Sequence, residues 1–148
     1  MATVIHNNFR NAQLGMPANS TTTVDFDADD IDCSLLDETD SGAIAVTTEN
    51  YGEVDTATVV ADRADAAAVP LTTKTIGTVG VGVFNADDVT FATITGDAAD
   101  YLTLQKYDAT PANSTMIATW DSATTGLPVT PNGGDITVTW SASGIIQI

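Results

Sequence analysis

The sequence predicts an all-β protein, either an antiparallel β-sandwich or a barrel, with an irregular N-terminal arm. Two segments carry this prediction best: residues 116–120 and 136–140 alternate apolar and polar side chains, the period-two pattern of a half-buried strand. The connection between them holds Gly126, Pro128 and Pro131, which interrupt strands and supply turn geometry. Turn signals separate the other candidate strands at short intervals without a long helical pattern, which is typical of antiparallel β folds.

The chain has 148 residues, a length that favours one domain. Its pattern divides it into three parts: an N-terminal arm or short helix over residues 1–18, a less regular β region over residues 19–70, and the main antiparallel sheet region over residues 71–148. Within the arm, a short helix is predicted over residues 7–14.

The individual strands follow from alternation and from β-branched residues bounded by turn residues. In the middle region the predicted strands are 21–26, 31–36, 42–48 and the first half of 56–68, where alanines also favour helix. In the last region the predicted strands are 78–84, 89–95, 101–107, 116–120, 136–140 and 145–148. Gly80 and Gly82 lie on one face of their strand, which predicts a bend or the close approach of another backbone.

The charge balance restricts the possible partners. Four bases face 20 acids, which gives a net charge of −16. A field of this sign repels phosphate backbones and anionic lipid, so we expect no nucleic-acid and no membrane partner. No apolar segment is long enough to span a bilayer, and the N-terminus lacks the apolar stretch of a signal peptide, so we expect synthesis in a cytoplasm without export. The charge is explained by solubility, by attraction to a basic partner surface, or by both.

The single cysteine and the single histidine do not suggest catalysis. Cys33 has Ile31 and Leu35 at spacing two, so it is expected to point inward as a small apolar residue. His6 lies in a polar segment without further zinc ligands or a nucleophile-elbow sequence, and is expected at the surface. We therefore predict that the protein is not an enzyme.

An acidic run leaves one metal hypothesis open. Carboxylates at alternate positions are suitable ligands for calcium; the candidate ligands are Asp25, Asp27, Asp29 and Asp32. The run departs from an EF-hand loop, because Asp30 stands where a glycine should bend the chain and Leu36 where a glutamate should bind. The alternative is an acidic, solvated face, and no other cofactor is predicted.

Two further patterns each allow a functional and a purely structural interpretation. The adjacent acids Asp87 and Asp88 could serve glycoside hydrolysis, but they fall at a predicted turn in a chain rich in acids. The aromatic residues on strands could stack on sugars, although core packing is the commoner reason for such residues. They are Tyr101, Tyr107, Trp120 and Trp140.

Three segments together resemble a family of small proteins encoded among the virion structural genes of tailed bacteriophages. The first is VGVGVFNADDVTFATITGDAADYLTLQKYD, residues 79–108. The second is TTGLPVTPNGGDITVTW, residues 124–140. The third is DIDCSLLDE, residues 30–38, preceded by an acidic approach and by Phe9 in a short lead-in.

The resemblance implies a non-enzymatic virion component, a capsid decoration or cement protein on the outside of the head. Such proteins bind the major capsid protein, commonly assemble as homotrimers near three-fold positions, and brace the shell. The residues that match the family pattern best are expected to form turns and to contribute to an interface; they are Gly126, Leu127, Pro128, Pro131, Asn132, Gly133 and Gly134.

The two chain ends supply further candidate partner-binding residues, because an apolar terminal segment can add a strand to a neighbour's sheet edge. They are Val4, Ile5 and Phe9 at one end and Ile145, Ile146 and Ile148 at the other. The alternative for residues 145–148 is an ordinary final strand in the protein's own sheet. Two other functions remain open: a tail or adhesion module that binds host-surface glycan with exposed aromatic residues, and a component of the head–tail connector.

Overall fold

A computed structural model describes residues 3–13, 23–38, 44–45, 47–48, 50–51, 68–121 and 126–148. In these ranges the strands are β1 (Thr3–Ile5), β2 (Ile31–Leu36), β3 (Ala68–Pro70), β4 (Thr75–Ile76), β5 (Val83–Asn85), β6 (Val89–Phe91), β7 (Tyr101–Lys106), β8 (Met116–Trp120), β9 (Ile136–Val138) and β10 (Ile146–Gln147). One α-helix, α1, spans Asn7–Gln13, and a 3₁₀ turn spans Pro111–Asn113.

The strands form three antiparallel sheets, which confirms the predicted all-β class. Five strands pair in the order β1-β8-β7-β2-β3, three in the order β10-β5-β4, and β6 pairs with β9. Side chains from all three sheets meet in one hydrophobic cluster. This shared core holds the sheets together, since apolar burial contributes most of the favourable free energy of folding.

The central strands of the large sheet are buried on both faces. On one face Cys33, Leu104 and Ala118 lie opposite one another across β2, β7 and β8. The other face is polar yet equally buried: the Gln105 amide donates to Ser34 Oγ at 2.8 Å, and Thr103 Oγ1 donates to Gln105 Oε1 at 3.3 Å. The alternation predicted half-buried strands for β8, whereas all five of its residues are buried.

The first described residues belong to the body of the protein. β1 pairs with β8, and α1 confirms the predicted helix within one residue. Phe9 on α1 is 2% exposed, with its ring 5.5 Å from Phe26, and Phe26 stacks on Phe84 at 4.2 Å. Residues 3–13 are therefore anchored to the core instead of forming a free arm.

Some strand predictions are confirmed and others are wrong. Residues 31–36 and 101–106 form the two longest strands, as predicted. The described residues of the predicted strand 21–26 form no strand: the chain turns over residues 26–29, where the Asp29 N–H donates to Asp25 O at 2.8 Å.

In the predicted strand 42–48, the described residues 44–45 and 47–48 form no strand, and the Thr48 N–H donates to Ala45 O at 2.9 Å in a turn. Nearly all of the segment 56–68 lies outside the described residues.

The predicted strand over residues 78–84 is a turn for most of its length, and β5 begins only at Val83. The turn is needed because β4 and β5 pair with each other, so the chain must reverse between them. Gly82 has a φ of 70°, and a Cβ at this position would lie 2.5 Å from the backbone oxygen of Ile148. The predicted close approach of another backbone is thus confirmed at Gly82.

β10 pairs with β5, so the end of the chain forms a final strand of its own sheet.

Candidate docking surface

Exposed apolar side chains gather at one end of the three-stranded sheet. Of the five large hydrophobic residues exposed in the described part of the chain, four belong to the β4–β5 hairpin or to the C-terminal residue beside it. We call these four the apolar tip: Ile76 (54% exposed), Val79 (46%), Val81 (94%) and Ile148 (66%). The fifth, Tyr107, is 52% exposed and follows β7.

Backbone hydrogen bonds fix the conformation of the apolar tip. Gly77 N–H donates to Val83 O at 2.8 Å, and Val83 N–H donates to Gly80 O at 3.1 Å. Ile148 N–H donates to Gly82 O at 3.0 Å, which ties the C-terminal residue to the hairpin. The exposed side chains therefore project from a backbone that is already ordered.

The sequence around the apolar tip contains no acid. Residues 71–86 and 136–148 lack Asp and Glu altogether, although the chain holds 20 acids. Lys74 is their only charged side chain. Acids stand at the border: Asp87 follows the first segment directly, and Asp25 lines the groove beside Ile76 and Ile148.

The acidic run does not form the calcium site that was considered. Asp25 Oδ1 accepts from the Asp27 N–H at 3.0 Å, and Asp29 Oδ2 accepts from the Asp25 N–H at 2.8 Å, so both carboxylates close their own turn. Asp32 lies on the buried strand β2. Nowhere in the described ranges do three or more Asp, Glu, His or Cys residues come together as metal ligands. The hypothesis for Asp25, Asp27, Asp29 and Asp32 is therefore wrong.

Two lysines contact this run at Asp29. Lys106 Nζ pairs with Asp29 Oδ2 at 2.8 Å and donates to Thr23 O at 3.0 Å, while Lys74 Nζ donates to Asp29 O. Burial raises the pKa of Asp29, but the Lys106 hydrogen bond, the Asp25 backbone and the two lysine charges outweigh it. The net effect is a lowered pKa.

Asp32 has the opposite electrostatic environment. It is 7% exposed on the polar face of the large sheet. Burial, with a smaller contribution from the charge of Asp30, raises the pKa of Asp32 to about 6. This carboxyl group therefore changes its charge between weakly acidic and neutral pH.

His6 and Cys33 are both buried. His6 was expected at the surface, and this is wrong: its backbone N–H donates to Ile117 O at 3.1 Å, and Nε2 lies 2.8 Å from Thr119 Oγ1. It is enclosed because it extends the β1–β8 pairing by one residue.

Cys33 is 0% exposed, as predicted, and burial raises the pKa of its thiol, with a smaller contribution from Asp32. A neutral buried thiol is a poor nucleophile.

The two tryptophans pack together beside a groove of about 450 Å³. Trp120 is 7% exposed, which confirms core packing, and its ring centroid lies 5.7 Å from that of the half-buried Trp140. Most of the groove lining is apolar, including Leu35, Leu102 and Leu127. Tyr101 is buried in a separate cluster and Tyr107 lies outside the groove, so these four aromatic residues do not surround one site.

Asp87 and Asp88 support the local structure. Asp87 Oδ2 accepts from Thr73 Oγ1 at 2.5 Å, and its backbone oxygen accepts from Trp140 Nε1 at 3.1 Å. Asp88 Oδ1 accepts from the Trp140 backbone N–H at 3.0 Å. Both carboxylates are therefore engaged in holding the connection between β5 and β6.

The predicted partner-binding residues lie at several separate places. Phe9 and Ile146 are 2% and 5% exposed in the protein's own core, so the prediction that they bind a partner is wrong. Val4 and Ile5 are half-buried on β1, an edge strand, and Ile145 is half-buried beside β5. Only Ile148 belongs to the apolar tip.

The glycine- and proline-rich connection forms turns, as predicted. Gly126 and Gly133 have φ values of 100° and 85°, and the Asn132 side chain accepts from the Gly134 N–H at 3.0 Å. Leu127 and Pro131 are half-buried, whereas Pro128 is exposed. The connection pairs with the chain near Ile94 and Ala99, through the residues Val129, Gly133 and Gly134.

Sequence reasoning missed Ile76, Val79 and Val81 as surface residues, because the valines alternate with glycines as they would in a strand. The two glycines two residues apart were the available signal for a turn.

Within the described ranges, no helix has both the length and the apolar character needed to cross a membrane. No protein-family model matches the chain, and a search of curated proteins finds no significant relative.

Proposed function

We propose that this chain is a non-enzymatic capsid decoration protein of a tailed bacteriophage, which binds the outer surface of the major capsid protein shell and stabilises the head. The observation that carries the proposal is the distribution of charge on a rigid β body. A protein present in many copies must remain soluble before assembly and must bind only through chosen surfaces.

The few bases of the chain leave most of its acids without a basic partner. Only four bases oppose 20 acids, and Lys74 and Lys106 are engaged on the turn around Asp29. Arg10 is exposed on α1, and Arg63 lies outside the described residues. Free copies therefore repel one another, while a basic shell surface attracts them.

The described residues offer little for catalysis, which supports a binding role. The one histidine and the one thiol of the chain are buried, and Asp87 and Asp88 each hold backbone or hydroxyl donors. The two long central strands give a stable scaffold, and the apolar tip gives a surface that can be buried against another protein.

Assembly as a homotrimer is part of the proposal. Repulsion between acidic copies in free solution should oppose the trimer at low salt and weaken as salt screens it. Sedimentation velocity of the purified chain over a salt series would measure this. A monomer at every salt concentration would contradict trimer formation away from the shell.

The second candidate is a tail or adhesion module that binds host-surface glycan, and the groove beside Trp120 and Trp140 favours it. Its mainly apolar lining argues against a sugar, because sugar recognition also needs several fixed polar groups. A head–tail connector remains a third candidate without a specific structural observation in its favour.

An electron-cryomicroscopy reconstruction of the virions that carry this chain tests the proposal. We expect density for the chain on the outside of the head, repeated over the shell near three-fold positions. Density only at the tail tip would favour the adhesion module, and a ring at a single vertex would favour the connector. Heads that lack the chain should lose their DNA at lower temperature, and added purified chain should restore their stability.

A further inference from the structure

We propose that the apolar tip is the surface through which this chain docks on the shell, by inserting Val81 and Ile148 into an apolar recess that has a basic rim. This inference rests on the proposed function and names the contact surface for it. Of the four residues of the tip, only Ile148 is among the partner-binding residues predicted from the sequence.

The exposure of the tip is the first argument. Val81, which precedes Gly82 in the hairpin, is 94% exposed, and Ile148, whose N–H donates to Gly82 O, is 66% exposed. Single exposed hydrophobic residues are normal, but four of them on one hairpin and the residue bonded to it, in segments without acidic side chains, are typical of an interaction site. The next segment of the hairpin is already core, since Val83 is 5% exposed.

The order of the tip is the second argument. Three backbone hydrogen bonds, Gly77 to Val83, Val83 to Gly80 and Ile148 to Gly82, hold it in one conformation. Binding therefore requires little loss of conformational entropy, which favours affinity. A flexible apolar loop would lack this advantage.

The third argument is the charge pattern, which indicates what kind of partner can bind the apolar tip. Residues 71–86 and 136–148 carry no acidic side chain, so Val81 and the rest of the hairpin can be buried without desolvating a side-chain carboxylate. Acids border it, with Asp25 in the adjoining groove and Asp87 after the hairpin strand β5. A partner with an apolar recess and basic residues around it matches both features.

A second copy of this chain matches them poorly. A second copy also has a net charge of −16, which the acids around the tip would repel. Apart from the two lysines at Asp29, only Arg10 and Arg63 could offset this repulsion. The groove beside the tip, lined by Val24, Phe26 and Ile76 with Asp25 at its wall, can instead receive a long basic side chain of the partner.

Binding to empty shells tests the docking surface. The probe is shells assembled from the major capsid protein of the phage that carries this chain, without the chain itself, and bound protein is measured by co-sedimentation. We expect Val81→Asp to weaken binding by at least about tenfold and Val81→Ser by several-fold, because burial of the tip at the centre of an interface contributes strongly.

The matched control is Ala109→Asp, which adds the same charge at an exposed position in the loop between β7 and the 3₁₀ turn. It should change binding by less than about twofold, since added charge away from the contact acts mainly through the overall field. Thermal unfolding of each variant checks that the fold is intact. Raised salt should weaken binding of the unchanged chain if the rim is basic.

The outcomes separate this inference from the proposed function. If the unchanged chain binds shells and Val81→Asp binds equally well, the docking surface is wrong and the decoration function stands. If the unchanged chain does not bind shells, both are overturned. If Val81→Asp abolishes self-association in sedimentation velocity instead of shell binding, a second copy occupies the tip and the inference fails.

Discussion

The central strands and the apolar tip use similar residues for opposite purposes. β2, β7 and β8 bury both their apolar face and their polar face, whereas the hairpin between β4 and β5 leaves valine and isoleucine exposed to solvent. The two regions differ in whether other parts of the protein cover them, and not in whether their side chains are apolar. It teaches that a polar face of a sheet can be structural and an apolar segment can be surface.

The largest expected effect comes from the apolar face of the central strands. Leu104 is 0% exposed, between Cys33 on β2 and Ala118 on β8. Leu104→Ala should lower the free energy of unfolding by about 2–5 kcal/mol, because it removes buried apolar surface and leaves a cavity. Urea denaturation measures the change. The control Leu127→Ala, at a half-buried position, should cost clearly less.

The polar face should behave as a structural network. Gln105 is 2% exposed and donates to the fully buried Ser34 hydroxyl. Gln105→Ala should cost about 1–3 kcal/mol, since it removes a partner from a buried polar group. Gln147→Ala, at an exposed position on β10, should change the free energy of unfolding by less than about 0.5 kcal/mol.

A double substitution sharpens this comparison. Ser34→Ala in the Gln105→Ala background should cost less than Ser34→Ala alone, because the hydroxyl has already lost its partner. If the two losses simply add, the hydrogen bond between Gln105 and Ser34 does not couple these residues and the polar face is not a network.

The sequence allowed the long strands to be predicted but not their surroundings. Alternation located β2, β7 and β8, yet the same alternation arises whether the polar face meets water or other parts of the protein. His6 was misplaced for this reason: its polar neighbours indicated solvent, whereas pairing of β1 with β8 enclosed it. Local patterns do not encode which distant segments meet.

The candidate site was predictable only in part. The predicted calcium ligands were Asp25, Asp27, Asp29 and Asp32. The cations at this run are instead the side chains of Lys74 and Lys106, which contact Asp29 and come from 45 and more residues away. The apolar tip was missed because its valines alternate with glycines as in a strand. Its residues come together only through the β4–β5 pairing and the hydrogen bond from Ile148 to the hairpin. Long-range contacts create both features.

A pH-dependent effect is expected at Asp32, on the buried polar face. Its raised pKa of about 6 means that folding favours the protonated carboxyl group. Stability from this group is fully present below the unfolded pKa of about 4 and is lost as pH rises through about 6. Asp32→Asn should therefore stabilise the protein by about 1–2 kcal/mol above pH 7 and by little below pH 4.

The pH series is measured as the difference in urea midpoint between Asp32→Asn and the unchanged chain. Asp30→Asn is the companion variant, because it removes the charge that helps to raise the pKa of Asp32. In this background the stability difference caused by Asp32→Asn should appear at a lower pH. A difference that is the same at pH 4 and pH 7.5 would rule out titration of Asp32 as its cause.

The smallest effect should come from the apolar tip, where Val81 and Val83 provide a matched pair in one hairpin. Val81 is 94% exposed and Val83 is 5% exposed, so the same substitution removes buried surface only at the second position. Val81→Ser should change the free energy of unfolding by less than about 0.5 kcal/mol, whereas Val83→Ser should cost about 1–3 kcal/mol. Urea denaturation of both variants measures the contrast. A large loss for Val81→Ser would mean that the tip is part of the protein's own core, which would remove the reason to regard it as a surface kept for a partner.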